Sequence, residues 1–129
     1  MPDGGAAFRF GAPTPILRSF DEGEARRFYI DYLGAEVLFE HRFGEGMPLY
    51  VGLRLGGTVL HLSEHHGDTT PGTRVRIAVE GIEAFADALA ARPHPRLTPG
   101  RPERQPWGER DLTLTDPFGN RLTFHEDIA

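Results

Sequence analysis

Residues 57–64 read Gly-Thr-Val-Leu-His-Leu-Ser-Glu, and residues 119–126 read Gly-Asn-Arg-Leu-Thr-Phe-His-Glu. At a spacing of 62, Gly57 meets Gly119, Leu60 meets Leu122, Leu62 meets Phe124 and Glu64 meets Glu126. Each stretch closes a half of the chain that opens with a short strand and an amphipathic helix. A unit this small buries too little apolar surface to stand alone, so the two copies are expected to pack together. A site shared between them is the first place to look for function.

Working outward through the first half, residues 13–20 read as a strand. Asp21 caps the next helix, and Glu24 follows three residues later, as in a capping box. Ala25, Phe28, Tyr29, Tyr32 and Leu33 recur at three and four, which gives the helix one buried face. Gly34 ends it. Residues 35–43 form a strand with Val37, Phe39 and Phe43 on one side, and 44–48 make a turn. Residues 49–55 and 58–64 form a hairpin about Gly56-Gly57.

The polar stretch 65–72, with Gly67, Pro71 and Gly72, reads as the linker between halves. A strand at 73–79 and a helix from Ile82 to about Ala91 follow, with Pro93 and Pro95 ending the helix. A weakly signalled strand is expected near Arg96, then a Pro- and Arg-rich loop at 100–106. Residues 107–115 and 120–126 form the closing hairpin. The expected order is βαβββ twice, an α+β fold of two modules (13–64 and 73–127) whose curved mixed sheets enclose a shared cleft. Residues 1–12 are expected to be a flexible leader; they lack the basic start and apolar run of a signal peptide.

The chain has 129 residues, 39% hydrophobic and 26% charged, which fits one soluble globular domain. Cysteine is absent, so disulfides and thiolate chemistry are excluded. All basic residues are arginine; without lysine there is neither a Schiff base nor a P-loop lysine. The net charge of -5 argues against nucleic acid. No apolar run is long enough to span a bilayer, and a cytoplasmic location is the expectation.

Strand side chains alternate between faces. One set is apolar: Leu60 and Leu62; Val75, Ile77 and Val79; Leu112 and Leu114; Leu122 and Phe124. The opposite set reads Thr14, Ile16 and Arg18; Val59, His61 and Ser63; Arg74, Arg76 and Ala78; Arg121, Thr123 and His125. These suit a solvated sheet face, and equally the wall of a polar pocket. His65 and His66 read as solvated loop residues.

Three local marks accompany the duplicated frame: Phe28-Tyr29-x-x-x-Leu33-Gly34, Val75-Arg76-Ile77-Ala78-Val79 and Asp116-Pro117-x-Gly119-Asn120. Together they make residues 13–127 resemble the vicinal oxygen chelate superfamily, which includes glyoxalase I, extradiol dioxygenases, and fosfomycin and bleomycin resistance proteins. In its enzymes four side chains, typically His, Glu or Gln, hold a divalent metal. The resemblance places those positions at Thr14, His61, Arg74 and Thr123. Only His61 is a good ligand, and the fixed charge of Arg74 repels a cation. A shifted set of His61 and His125, with His41 or Glu64 as third ligand, lacks a carboxylate of suitable parity. Two histidines so placed read as pocket lining.

No metal, no cofactor and no catalytic residue is therefore assigned. The resemblance is closest in type to the metal-free bleomycin resistance proteins, which sequester a large aromatic cation at a dimer interface. Pro106-Trp107-Gly108 resembles a Trp-Gly of that family, and Trp107 reads either as a stacking platform or as a core or hairpin anchor. Arg74, Arg76 and Arg121 suit an anionic or carbonyl-bearing ligand better than a cation. The expected protein is a non-catalytic homodimer that binds a small molecule, without nucleic-acid or membrane partners. Its ligand-binding residues are His61, Arg74, Arg76, Trp107, Thr123 and His125. A metal-dependent lyase or dioxygenase of the glyoxalase type, with altered ligands, is the alternative. A pure interaction module is a third reading.

Overall fold

The computed structural model describes residues 7–92, 94, 97 and 100–128. The first module runs β1 (Ile16–Arg18), α1 (Glu22–Ala25), a π-helical segment (Arg26–Tyr32), β2 (Glu36–His41), β3 (Tyr50–Leu55) and β4 (Thr58–Ser63). The second runs β5 (Arg74–Ala78), α2 (Ile82–Ala90), β6 (Glu103–Gln105), β7 (Glu109–Thr115) and β8 (Arg121–Asp127). The sheets have the same order, β1-β4-β3-β2 and β5-β8-β7-β6, each with one parallel pair, β1/β4 and β5/β8. The βαβββ duplication expected from the repeat is present. No described helix is long and apolar enough to cross a membrane.

Asp21 caps the first helix as expected, accepting from the Glu24 amide at 2.9 Å. The continuation as π-helix was not anticipated. Its wider turn, with Leu33 N–H on Phe28 O at 3.0 Å, brings Phe28, Tyr29 and Tyr32 all into the core. At φ +85°, Gly34 ends the helix in a left-handed conformation that a side chain would strain. There Arg92, from the second module, donates to Tyr32 O at 3.1 Å.

Two expectations need correction. Val37 and Phe39 do not share a face: the register shifts between them, so Val37 lies opposite Leu53 and Phe39 opposite Gly52. The β-bulge inserts a residue and inverts the alternation. β7 begins at Glu109, not at residue 107, and β6 lies inside the stretch read as a loop. There Glu103–Gln105 pairs with Asp111, Arg110 and Glu109. Its three residues sit between Pro102 and Pro106, whose missing amides masked the strand signal. The strand expected near Arg96, and Pro93 and Pro95, lie outside the described residues.

The buried residues of both modules form one apolar cluster, which takes in Leu17, Leu60 and Leu62 with Phe28 and Tyr32 of the first helix, and Leu112, Leu122 and Phe124 with Ile82, Ala86 and Leu89 of α2. The modules are joined by a buried polar lock. Asp116 Oδ1 accepts from the Phe118 and Asn120 amides at 2.9 and 2.8 Å. Its Oδ2 accepts from the Tyr29 hydroxyl at 2.6 Å and from Asn120 Nδ2 at 2.8 Å. Asn120 Nδ2 also reaches Arg18 O at 2.8 Å. Burial, reinforced by the Asp116 charge, holds the Tyr29 hydroxyl well above its ordinary pKa.

Candidate functional site

The register assigns the sheet faces turned away from the helices. In the first module one row reads Arg18, Ser63, Tyr50 and His41, and the next Ile16, His61, Gly52 and Phe39. In-register neighbours point the same way, so aromatic and imidazole rings gather here. Tyr50 Oη and His61 Nδ1 are 2.7 Å apart. Phe39 meets His61 edge-on at 5.2 Å between centroids and lies nearly parallel to Tyr50. Gly52 makes this possible, because a Cβ there would sit 2.2 Å from Phe39 Cε2. Burial, then the Asp68 charge, raises the Tyr50 pKa. Asp68 is held by Ser63 Oγ at 2.6 Å.

The corresponding face of the second module is charged. Arg76, Thr123 and Thr113 form one row; Ala78, His125, Asp111 and Glu103 form the next. Arg76 donates to Glu109 Oε1 at 2.7 Å, and Thr123 and Thr113 join hydroxyls at 2.9 Å. His125 Nδ1 lies 4.0 Å from Glu109 Oε1. Glu109 is only 4% exposed, and its Oε2 is buried without a hydrogen-bond partner. The Trp107 indole also acts on this carboxylate from the tip of the hairpin. Burial works to raise the Glu109 pKa. The Arg76 and Trp107 donors, with the charges of Arg76 and His125, outweigh it and hold the carboxyl below its ordinary value.

The structure thus brings four of the six expected site residues, Arg76, Trp107, Thr123 and His125, onto one patch around Glu109. His61 lies on the other sheet with Tyr50 and Phe39. Arg74 is exposed opposite Arg121, where the two positive charges share a row. Trp107 is not core: it occupies the tip of the β6–β7 hairpin, 65% exposed, where Gly108 N–H closes the turn on Gln105 O at 3.1 Å. An open hollow of about 500 Å³ flanks His125, lined by Ala78, Val79, Glu80, Glu126 and Asp127, all from the second module.

The shifted set about His61 does not assemble. Among the described residues, the trio whose ligand atoms lie within 4.8 Å of one another is Glu109, His125 and Asp127. Glu64 is engaged elsewhere, accepting from the Leu49 amide at 2.9 Å. Sequence reading missed Glu109, Asp127 and Tyr50. Their signal was parity: Glu109 alternates with Asp111 and Thr113, Asp127 with His125, and Tyr50 with Gly52.

Residues 4–129 match a family model described as a glyoxalase superfamily protein. No match is found among curated proteins. Among solved structures, a bleomycin-binding protein complexed with bleomycin is 23% identical, with a TM-score of 0.69 over 92% of this chain and 99% of that one. A glyoxalase-related enzyme from Clostridium phytofermentans is 20% identical, with a TM-score of 0.74 over 95% and 98%. A bleomycin resistance determinant encoded on the transposon Tn5 is 22% identical, with a TM-score of 0.69 over 92% and 98%. At these identities the structures share the fold, and the fold hosts more than one chemistry. The twin sheets, the Asp116 turn and the match across almost all residues agree: this chain belongs to the glyoxalase superfamily.

Proposed function

We propose that this protein binds an organic small molecule on the polar faces of its two sheets and performs no chemistry on it. The observation that carries this reading is the state of the four positions where the superfamily's enzymes hold their metal. Thr14 precedes β1, Thr123 is hydrogen-bonded to Thr113, and Arg74 is faced by Arg121. The remaining ligand type, His61, has Nδ1 occupied by the Tyr50 hydroxyl. A cation seated among these groups would meet one imidazole and a repelling guanidinium.

The ligand class follows from the walls. Arg74, Arg76 and Arg121 present donors to carboxylate, phosphate or carbonyl oxygens. Phe39, Tyr50 and Trp107 offer ring faces to a planar group. The hollow beside His125 is bounded by one module only, and a second copy of the chain completes it in a homodimer. The bleomycin complex of a structural relative makes bleomycin the first probe.

Calorimetric titration with bleomycin and a panel of organic anions, each with and without divalent metal, tests the reading. Saturable metal-independent heat, weakened in Arg76→Ala, is the expected result. Stoichiometric metal in purified protein that disappears in His61→Ala would defeat it and favour a lyase or dioxygenase of the glyoxalase type.

A further inference from the structure

We propose that Glu109, His125 and Asp127 form a binding site for a divalent transition-metal ion, separate from the four positions discussed above. The backbone sets this up. Glu109 and Asp127 are Cα partners across β7 and β8, and His125 lies two residues before Asp127 on the same face. The three side chains converge, with their ligand atoms within 4.8 Å of one another. Donors bound at about 2.1 Å to one ion sit roughly 3 to 3.5 Å apart, so small side-chain rotations complete the set. One imidazole nitrogen and two carboxylate oxygens suit zinc or manganese, and three protein donors leave positions open for ligand oxygens.

A second observation points the same way. Glu109 is almost wholly buried, yet its Oε2 has no hydrogen-bond partner. Buried carboxylate oxygens are ordinarily satisfied; the nearby Trp107 indole acts on this carboxylate as well, and an ion would complete its coordination. Arg76 holds the other oxygen at 2.7 Å. It orients the carboxylate as outer-shell donors orient metal ligands, while opposing the ion with its own charge. The facing groups tip that balance. Glu109, Asp127 and Asp111 supply three negative charges against Arg76, and Asp111 stands opposite His125 in the register. The hollow beside His125 and Asp127 admits the ion from solvent.

The test uses the full chain stripped with a chelator and titrated calorimetrically with zinc chloride. We expect one ion per chain with micromolar or tighter affinity. His125→Ala and Asp127→Asn should each weaken it by at least about tenfold. His61→Ala and His66→Ala should leave it unchanged. Thermal unfolding checks that each variant is folded, and exposed Asp127 provides a readout if His125→Ala does not fold. Cobalt substitution adds a visible spectrum that His125→Ala should abolish. Absence of saturable zinc binding, or binding that both variants retain, overturns the proposal. Binding lost in His61→Ala overturns it as well, and in addition defeats the passive-binder reading. Failure of the bleomycin and anion titrations leaves the zinc result standing, so the two proposals fail separately.

Discussion

Arg76 and Glu109, 33 residues apart, meet at 2.7 Å on the polar face of the second sheet, and the carboxylate end of the pair is buried. This pair makes stability respond to acid. The Glu109 carboxyl sits below its ordinary value of 4.5 in the folded chain. Between the folded and unfolded values the unfolded chain binds more protons, so stability rises with pH. It is fully present above 4.5 and is lost as pH falls through the depressed value. Urea unfolding from pH 6 to about pH 3 should therefore show a shallower acid loss in Glu109→Gln. Arg76→Ala should lift the Glu109 pKa, because burial is then opposed only by Trp107 and His125.

Gly52 gives a steric test. An added methyl meets the Phe39 ring well inside contact distance. Gly52→Ala should destabilise by about 1–3 kcal/mol, as overpacking does. Phe39→Ala should relieve it, with a coupling energy of about 0.5–3 kcal/mol in a double-mutant cycle. Additive losses would show that the ring moves aside without strain.

The Tyr29 hydroxyl is one of the donors of the inter-module lock. Tyr29→Phe should cost about 1.5–3 kcal/mol in urea unfolding, the range for a hydrogen bond to a charged group. Asp116→Ala should cost more, since it strips acceptors from Tyr29, Asn120 and the Phe118 amide together.

Trp107 is the single tryptophan of the chain and is largely exposed. Its emission should be that of a solvated indole, and a stacking ligand should quench it. Trp107→Ala should change stability by no more than about 0.5 kcal/mol. It should weaken a ligand found by calorimetry by about tenfold. Unchanged affinity would remove Trp107 from the binding surface.

The duplicated fold was legible because Leu60, Leu62, Leu122 and Phe124 alternate cleanly and Gly34 and Asp21 punctuate the first helix. The β2 bulge was not, since an inserted residue leaves no compositional trace. The strand at Glu103–Gln105 was hidden by prolines on both sides. Alternation also placed Arg76, Thr123 and His125 on one face. It did not reveal the long reach of Arg76 to Glu109, which depends on sheet twist and side-chain length. The aromatic gathering on the first sheet escaped notice because Gly52 reads as an ordinary position of the strand 49–55, and the room it leaves shows only once the ring of Phe39 is seen lying over it.

The Asp116 lock also bears on how the chain is made. Tyr29 and its acceptor are separated by 87 positions. As the nascent polypeptide leaves the ribosome, the first helix emerges long before the turn that completes its polar contacts. The first module must wait, incompletely satisfied, until Asp116 and the turn that follows it have been translated. Trapping a stalled intermediate that ends before residue 116 should give a protease-sensitive first module, and release of a chain that includes residues 116–128 should protect it.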